Sequence, residues 1–222
     1  MARLTVLAPV PPSRSSAASA GAALVRALRR RGHKIRVVWP VPEDVEALLA
    51  RSDLAVHLVS GDPEDADGYR VAVEHPGLVV LPDLDLGPVI RELVRSRDPA
   101  GRVALREAER AGGRGPAWSA HVARRARGLV VADDEARADL RRIGCRTPVF
   151  VVSQDDHRSA ALDAAVDATV ALIRDPAEWA VGRWASALVD CGVGPDDVSA
   201  EGYGLRYAEA LGELRGSPAG SP

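Results

Sequence analysis

The stretch Ser52–Val94, SDLAVHLVSGDPEDADGYRVAVEHPGLVVLPDLDLGPVIRELV, decides how this chain folds. Leu54–Val59 is a continuous apolar run closed by Ser60-Gly61-Asp62-Pro63, the pattern of a buried strand meeting a turn. Glu64–Glu74 then reads as a helix, and His75-Pro76-Gly77 ends it. Leu78–Leu81 is a second apolar strand, and an acidic loop, Pro82–Asp85, leads into a helix from about Leu86. Strand, helix, strand and the start of another helix make one βαβ crossover, right-handed by the steric rule for such units, and the beginning of the next.

The same alternation extends in both directions. Arg3–Ala8 and Lys34–Trp39 are β-branched runs on either side of a helical segment that starts near Ser13–Ser16 and ends at Gly32. A short helix over Glu43–Ala50 follows Pro42. Leu86–Arg127 is helical in pieces, broken near Arg97–Gly101 and Gly112–Pro116. Leu129–Val131 and Val149–Val152 are two further strands, with a helix over Asp134–Arg142 between them. Apolar strands separated by helices specify a parallel sheet covered on both faces. The expected fold is therefore α/β: a doubly wound, mostly parallel, Rossmann-like sheet of about six strands over residues 1–153. A helical C-terminal segment (154–216) and a disordered tail (217–222) follow, the first of its helices over Ser159–Arg174.

Composition narrows the function. The 222 residues carry a formal net charge of −2, which gives no bulk attraction to nucleic acid or an anionic membrane. No apolar run is long enough to span a bilayer, and no secretory leader is evident, so the chain reads as cytoplasmic. All but one of the 29 basic residues are Arg, the exception being Lys34, and Asn is absent; this is the coding bias of a GC-rich bacterial genome. Cys145 and Cys191 stand alone and read as reduced thiols. No histidine has partners at ligand spacing, so neither a metal nor another cofactor is expected.

The candidate site residues sit after strands, where open α/β sheets place their ligands. Ser15 and Ser16 precede the first helix and read either as an anion cradle at its N-terminus or as helix caps. Asp83 and Asp85 follow the fourth strand and read either as ligand-binding carboxylates, with Asp83 a catalytic candidate as general base, or as caps of the helix near Leu86. Gly61 lies in the loop after the third strand. His57, inside that strand, reads as a packed core histidine, and Trp118 as packing.

Three tracts resemble the N-terminal, acceptor-side domain of family-4 glycosyltransferases of the two-domain GT-B fold. RLTVLAPVPPSRSS…LVRALRRRGHKIRVVW (Arg3–Trp39) is similar to that family's opening strand, Pro-rich loop, helix and RGH turn. HLVSGDPEDADGYRVAVEHPGLVVLPDLDL (His57–Leu86) is similar to its HPGxVVLHD element, and RARGLVVADDEARADLRRIGCRTPVFVV (Arg125–Val152) to the segment before its interdomain linker. Pro82 replaces the family's histidine, so only Asp83 carries over from that pair. EGYGLRYAEAL (Glu201–Leu211) resembles the family's donor motif, with Glu201 and Glu209 as its two glutamates.

The resemblance implies a truncated or degenerate glycosyltransferase-like protein whose donor-binding second domain is missing. Such a protein binds a glycan or lipid acceptor, or works with a catalytic or donor-domain protein partner, without transferring sugar alone. Two alternatives stand beside it. One is a small active glycosyltransferase that uses a nucleotide-sugar donor through Glu201 and Glu209. The other is a generic nucleotide- or phosphate-binding α/β domain, because fold does not fix function.

Overall fold

The computed structural model describes residues 2–13, 15, 17–152 and 160–174. They form one six-stranded, all-parallel sheet in the order β2-β1-β3-β4-β5-β6. The strands are β1 (Arg3–Leu7), β2 (Lys34–Val38), β3 (Leu54–Leu58), β4 (Leu78–Leu81), β5 (Gly128–Val131) and β6 (Val149–Val151). The helices are α1 (Ala18–Arg30), α2 (Val45–Leu49), α3 (Ala66–Glu74), α4 (Gly87–Arg95), α5 (Pro99–Arg110), α6 (Ala120–Arg125), α7 (Asp134–Arg142) and α8 (Ala160–Arg174). This is the doubly wound, Rossmann-like α/β fold that the strand–helix alternation specifies. The expected helices beyond Arg174 and the C-terminal tail lie outside the described residues.

Side chains leave the strands alternately, and the two resulting sets build two cores. Leu54, Val56 and Leu58 of β3, Leu78 and Val80 of β4 and Val130 of β5 pack with Leu24, Val25 and Leu28 of α1 and Leu162 and Val166 of α8. Val79, Leu81, Leu129, Val131 and Val149 face the other way, against Tyr69 of α3, Ile90 and Leu93 of α4 and Val122 of α6. A smaller cluster at the β2 edge joins Leu7, Val38, Val45 and Val71. Each fully buried Leu, Ile or Val contributes about 1.5–3 kcal/mol relative to exposure, so these two layers are the main source of stability.

Helix boundaries differ from the sequence reading only at their ends. Glu64-Asp65 belongs to a 3-10 turn, Pro63–Asp65, and the α-helix proper starts at Ala66. The turn is set by Asp62, whose side chain accepts the Glu64 N–H at 3.0 Å, with Pro63 at the first position. α5 is started in the same way, by Asp98 accepting the Ala100 N–H at 2.7 Å ahead of Pro99. α1 begins at Ala18, later than Ser13–Ser16 suggests, because Ser15 closes a local turn by accepting the Ala17 N–H.

α8 lies directly on the sheet. A Cβ at Gly128 would stand 2.7 Å from Thr169 Oγ1 of this helix, so glycine is what lets it approach β5. Thr169 Oγ1 itself donates to Ala165 O at 2.7 Å, which satisfies a buried hydroxyl within the helix. Among the described residues no helix is long and apolar enough to cross a membrane.

Candidate functional site

The chain runs outward from β1 in both directions, to β2 on one side and β3 on the other, so β1/β3 is the topological switch point. Loops that leave the carboxyl ends of strands diverge there and open a crevice, the usual ligand position in such sheets. A cleft of ≈ 860 Å³ occupies this end of the molecule. Its wall on one side is α1, through Ala20, Ala23 and Leu24, with Ala17 just ahead of the helix, and α8 contributes Leu162. Leu58, Val80, Val130 and Val152 form its apolar floor. Ser60, Gly61 and Asp62 after β3 and Pro82, Asp83 and Asp85 after β4 form its rim.

Gly61 and Asp83, two of the residues singled out in the sequence, therefore meet at one cleft. Gly61 acts through its missing side chain: a Cβ there would lie 2.5 Å from Asp85 O. The loops after β3 and β4 close against each other only because this position is glycine. Asp83 Oδ1 accepts the Asp85 N–H at 2.5 Å, and Asp85 Oδ1 accepts the Gly87 N–H at 3.0 Å, at the start of α4. The two carboxylates thus shape a double Asx turn and still lie exposed on the rim.

Ser15 is not among the described lining residues and is 5% exposed. Its hydroxyl donates to Asp65 Oδ2 at 3.1 Å and accepts the Ala17 N–H at 3.2 Å. Ser60 Oγ donates to the same carboxylate oxygen and accepts the Asp62 N–H at 3.1 Å. Asp65 ties the loop after β1 to the loop after β3, on either side of the switch point. It is 1% exposed, and its Oδ1 has no hydrogen-bond partner. Burial pushes its carboxyl above the ordinary range, against the opposing pull of the two serine hydroxyls; Asp62 and Glu64 add to the rise. Ser16, Glu201 and Glu209 lie outside the described residues.

Sequence reasoning missed Asp65. In the run Asp62-Pro-Glu-Asp65 one acid looks like the next, and only the turn geometry sends Asp65 inward while Glu64 stays exposed. The usable signal was the pair of serines at Ser15 and Ser60, each following a strand at the same sheet end. His57 is the core histidine expected: 1% exposed, with Nε2 hydrogen-bonded to His75 O at 3.0 Å and Nδ1 buried without a partner. Burial lowers its pKa to about 4, so it is neutral at physiological pH. Away from the cleft, on the opposite face, Tyr69 Oη and His121 Nδ1 are 3.3 Å apart and satisfy each other inside the core.

Chemically, the cleft offers an apolar floor, hydroxyl and carboxylate groups on one rim, and no basic side chain among its described lining residues. Among the described residues no group of three or more His, Cys, Asp or Glu side chains could hold a metal ion. This arrangement suits a ligand with an apolar part and polar groups that donate hydrogen bonds. The chain matches no family model, no curated protein and no solved structure.

Proposed function

We propose that this protein is an acceptor-side binding module of the glycosyltransferase type. It holds a glycan or lipid acceptor in the switch-point cleft, works with a partner that supplies the donor domain, and does not transfer sugar alone. The observation that carries this reading is the meeting of Gly61 and Asp83 at one apolar-floored cleft. Both come from the His57–Leu86 tract that resembles the acceptor domain of family-4 enzymes.

The electrostatics support an acceptor over a nucleotide-sugar donor. Using a donor requires stabilising a departing diphosphate with cations, a metal or preorganised N–H groups. The described lining instead carries Asp62, Asp83 and Asp85. For the same reason the cleft favours an acceptor over the generic phosphate-binding alternative.

A thermal-shift series tests the reading, because a ligand that binds only the folded state must raise Tm. Hexyl β-D-glucoside, a sugar on a short apolar tail, should give a saturable rise. At a hundredfold excess over Kd the stabilisation is about 2.7 kcal/mol, or roughly 5–10 °C. Uridine- and guanosine-diphosphate sugars should give none. A saturable rise with a nucleotide sugar, lost on Glu201→Ala or Glu209→Ala, would instead establish the small active glycosyltransferase.

A further inference from the structure

The charge at the cleft mouth narrows the ligand class. Asp83 and Asp85 present exposed carboxylates on the rim, and the N–H groups they accept hold them in place without cancelling their charge. Asp62 lines the same rim but already has a partner, so the rim charge open to a ligand is that of Asp83 and Asp85. Behind it, Ser60 lines the cleft and donates to Asp65, which is buried beneath the rim. Among the described residues, Arg91 is a cation beside this rim: a Cβ at Gly87 would lie 3.0 Å from its Nη1 and 2.9 Å from Asp85 Oδ1. Its guanidinium also lies over the Trp118 ring, 5.8 Å from the centroid, and it is not among the lining residues. Arg91 therefore offsets part of the charge of Asp85 and leaves Asp83 uncompensated within the described lining.

Apolar walls make this charge count. A cleft with low-dielectric sides focuses the field of the acids at its mouth, where bulk solvent screens it less than on an open surface. A ligand entering such a site gains by placing a positive group between the aspartates and its apolar part on Leu58, Val80, Val130 and Leu162. A phosphate at the same depth meets like charge and loses hydration, with no cation among the described lining residues to replace it.

We propose that the cleft takes an amine-bearing amphiphile: an apolar body on the sheet floor with one protonated amine between Asp83 and Asp85. This rests on the reading of the cleft as a ligand site, and it specifies that the acceptor carries an amino group and not a phosphate. Both an amino sugar on an apolar aglycone and a simple lipid amine have this chemistry.

The test uses three probes with one tail, hexylamine, hexyl β-D-glucoside and hexyl phosphate, titrated calorimetrically into the full chain at pH 7. Hexylamine should bind at least about tenfold tighter than hexyl phosphate, with the glucoside between them. Raising NaCl from about 20 mM to about 500 mM should shrink that ratio, since the discrimination is electrostatic. The double substitution Asp83→Asn and Asp85→Asn keeps both turn hydrogen bonds through the amide oxygens. It should bring amine and phosphate within about threefold of each other. Phosphate binding as tightly as the amine overturns the proposal and leaves the cleft as a ligand site. A ratio unmoved by salt and by the double substitution overturns it as well. Failure of all three probes to bind overturns the cleft reading itself, and this proposal with it.

Discussion

Ser15 Oγ donates to Asp65 Oδ2 at 3.1 Å across fifty positions of sequence, joining the loops that leave β1 and β3. Ser60 donates to the same oxygen from the other side, so one buried carboxylate fastens both lips of the switch point. That junction is the part of the site with the sharpest energetic consequences.

Replacing Asp65 separates its hydrogen bonds from its charge. Asp65→Ala leaves the Ser15 and Ser60 hydroxyls buried without their acceptor and should cost about 1–3 kcal/mol in urea unfolding. Asp65→Asn keeps an acceptor and removes the charge. Because the folded-state pKa of Asp65 is raised above the ordinary aspartate value, its stabilising contribution is complete below that ordinary value and lost as pH rises through the folded pKa. The stability of Asp65→Asn relative to the parent should therefore increase from acid toward neutral pH. A difference that stays flat, or falls with rising pH, contradicts the assignment.

His57 acts with the opposite sign. Its folded-state pKa is lowered from 6.5 to about 4, so its contribution is complete above 6.5 and lost as pH falls toward 4. Each pKa unit is worth about 1.4 kcal/mol, and the loss over this window should approach about 3 kcal/mol. His57→Gln, whose amide can still donate to His75 O, should flatten the acid limb of the stability profile. The limb should be steeper in the Asp65→Asn background, where the compensating carboxyl is gone. An unchanged acid limb in His57→Gln means the histidine is not what titrates.

Gly61→Ala tests the meeting of the two rim loops. The added Cβ would stand 2.5 Å from Asp85 O, a backbone atom that cannot swing aside as a flexible side chain would. Overpacking of this kind costs about 1–3 kcal/mol. The variant should also bind hexyl β-D-glucoside more weakly, because the loops it pushes apart carry the rim. Full stability together with full binding would show that the loops do not need this contact.

Much of this architecture is legible in the sequence, and the reasons are local. β4 at Leu78–Leu81 and α7 at Asp134–Arg142 have the bounds read from their residues, since the first is a continuous apolar run and the second a helical pattern, each beside strong turn signals. Asp133 caps α7 by accepting the Ala136 N–H at 2.8 Å, a cap the sequence reading did not single out. The cleft is not local. It depends on the strand order around β1, and on α8 approaching β5 at Gly128, a glycine that in sequence is only the residue ahead of an apolar run. The burial of Asp65 is invisible for the same reason: its partners Ser15 and Ser60 come from different strand ends, and nothing in Asp62–Asp65 marks which acid turns inward.

The most direct test of the central claim, that the apolar-floored cleft at the switch point is where this protein binds its ligand, is a methyl-resolved NMR titration with hexyl β-D-glucoside. Saturable shifts should centre on Leu58, Val80, Val130, Val152 and Leu162, which line the cleft, while Leu93 and Val122 in the opposite core and Val103, exposed on α5, stay still. Shifts that centre on Leu93, Val122 or Val103 and spare the cleft methyls would contradict it.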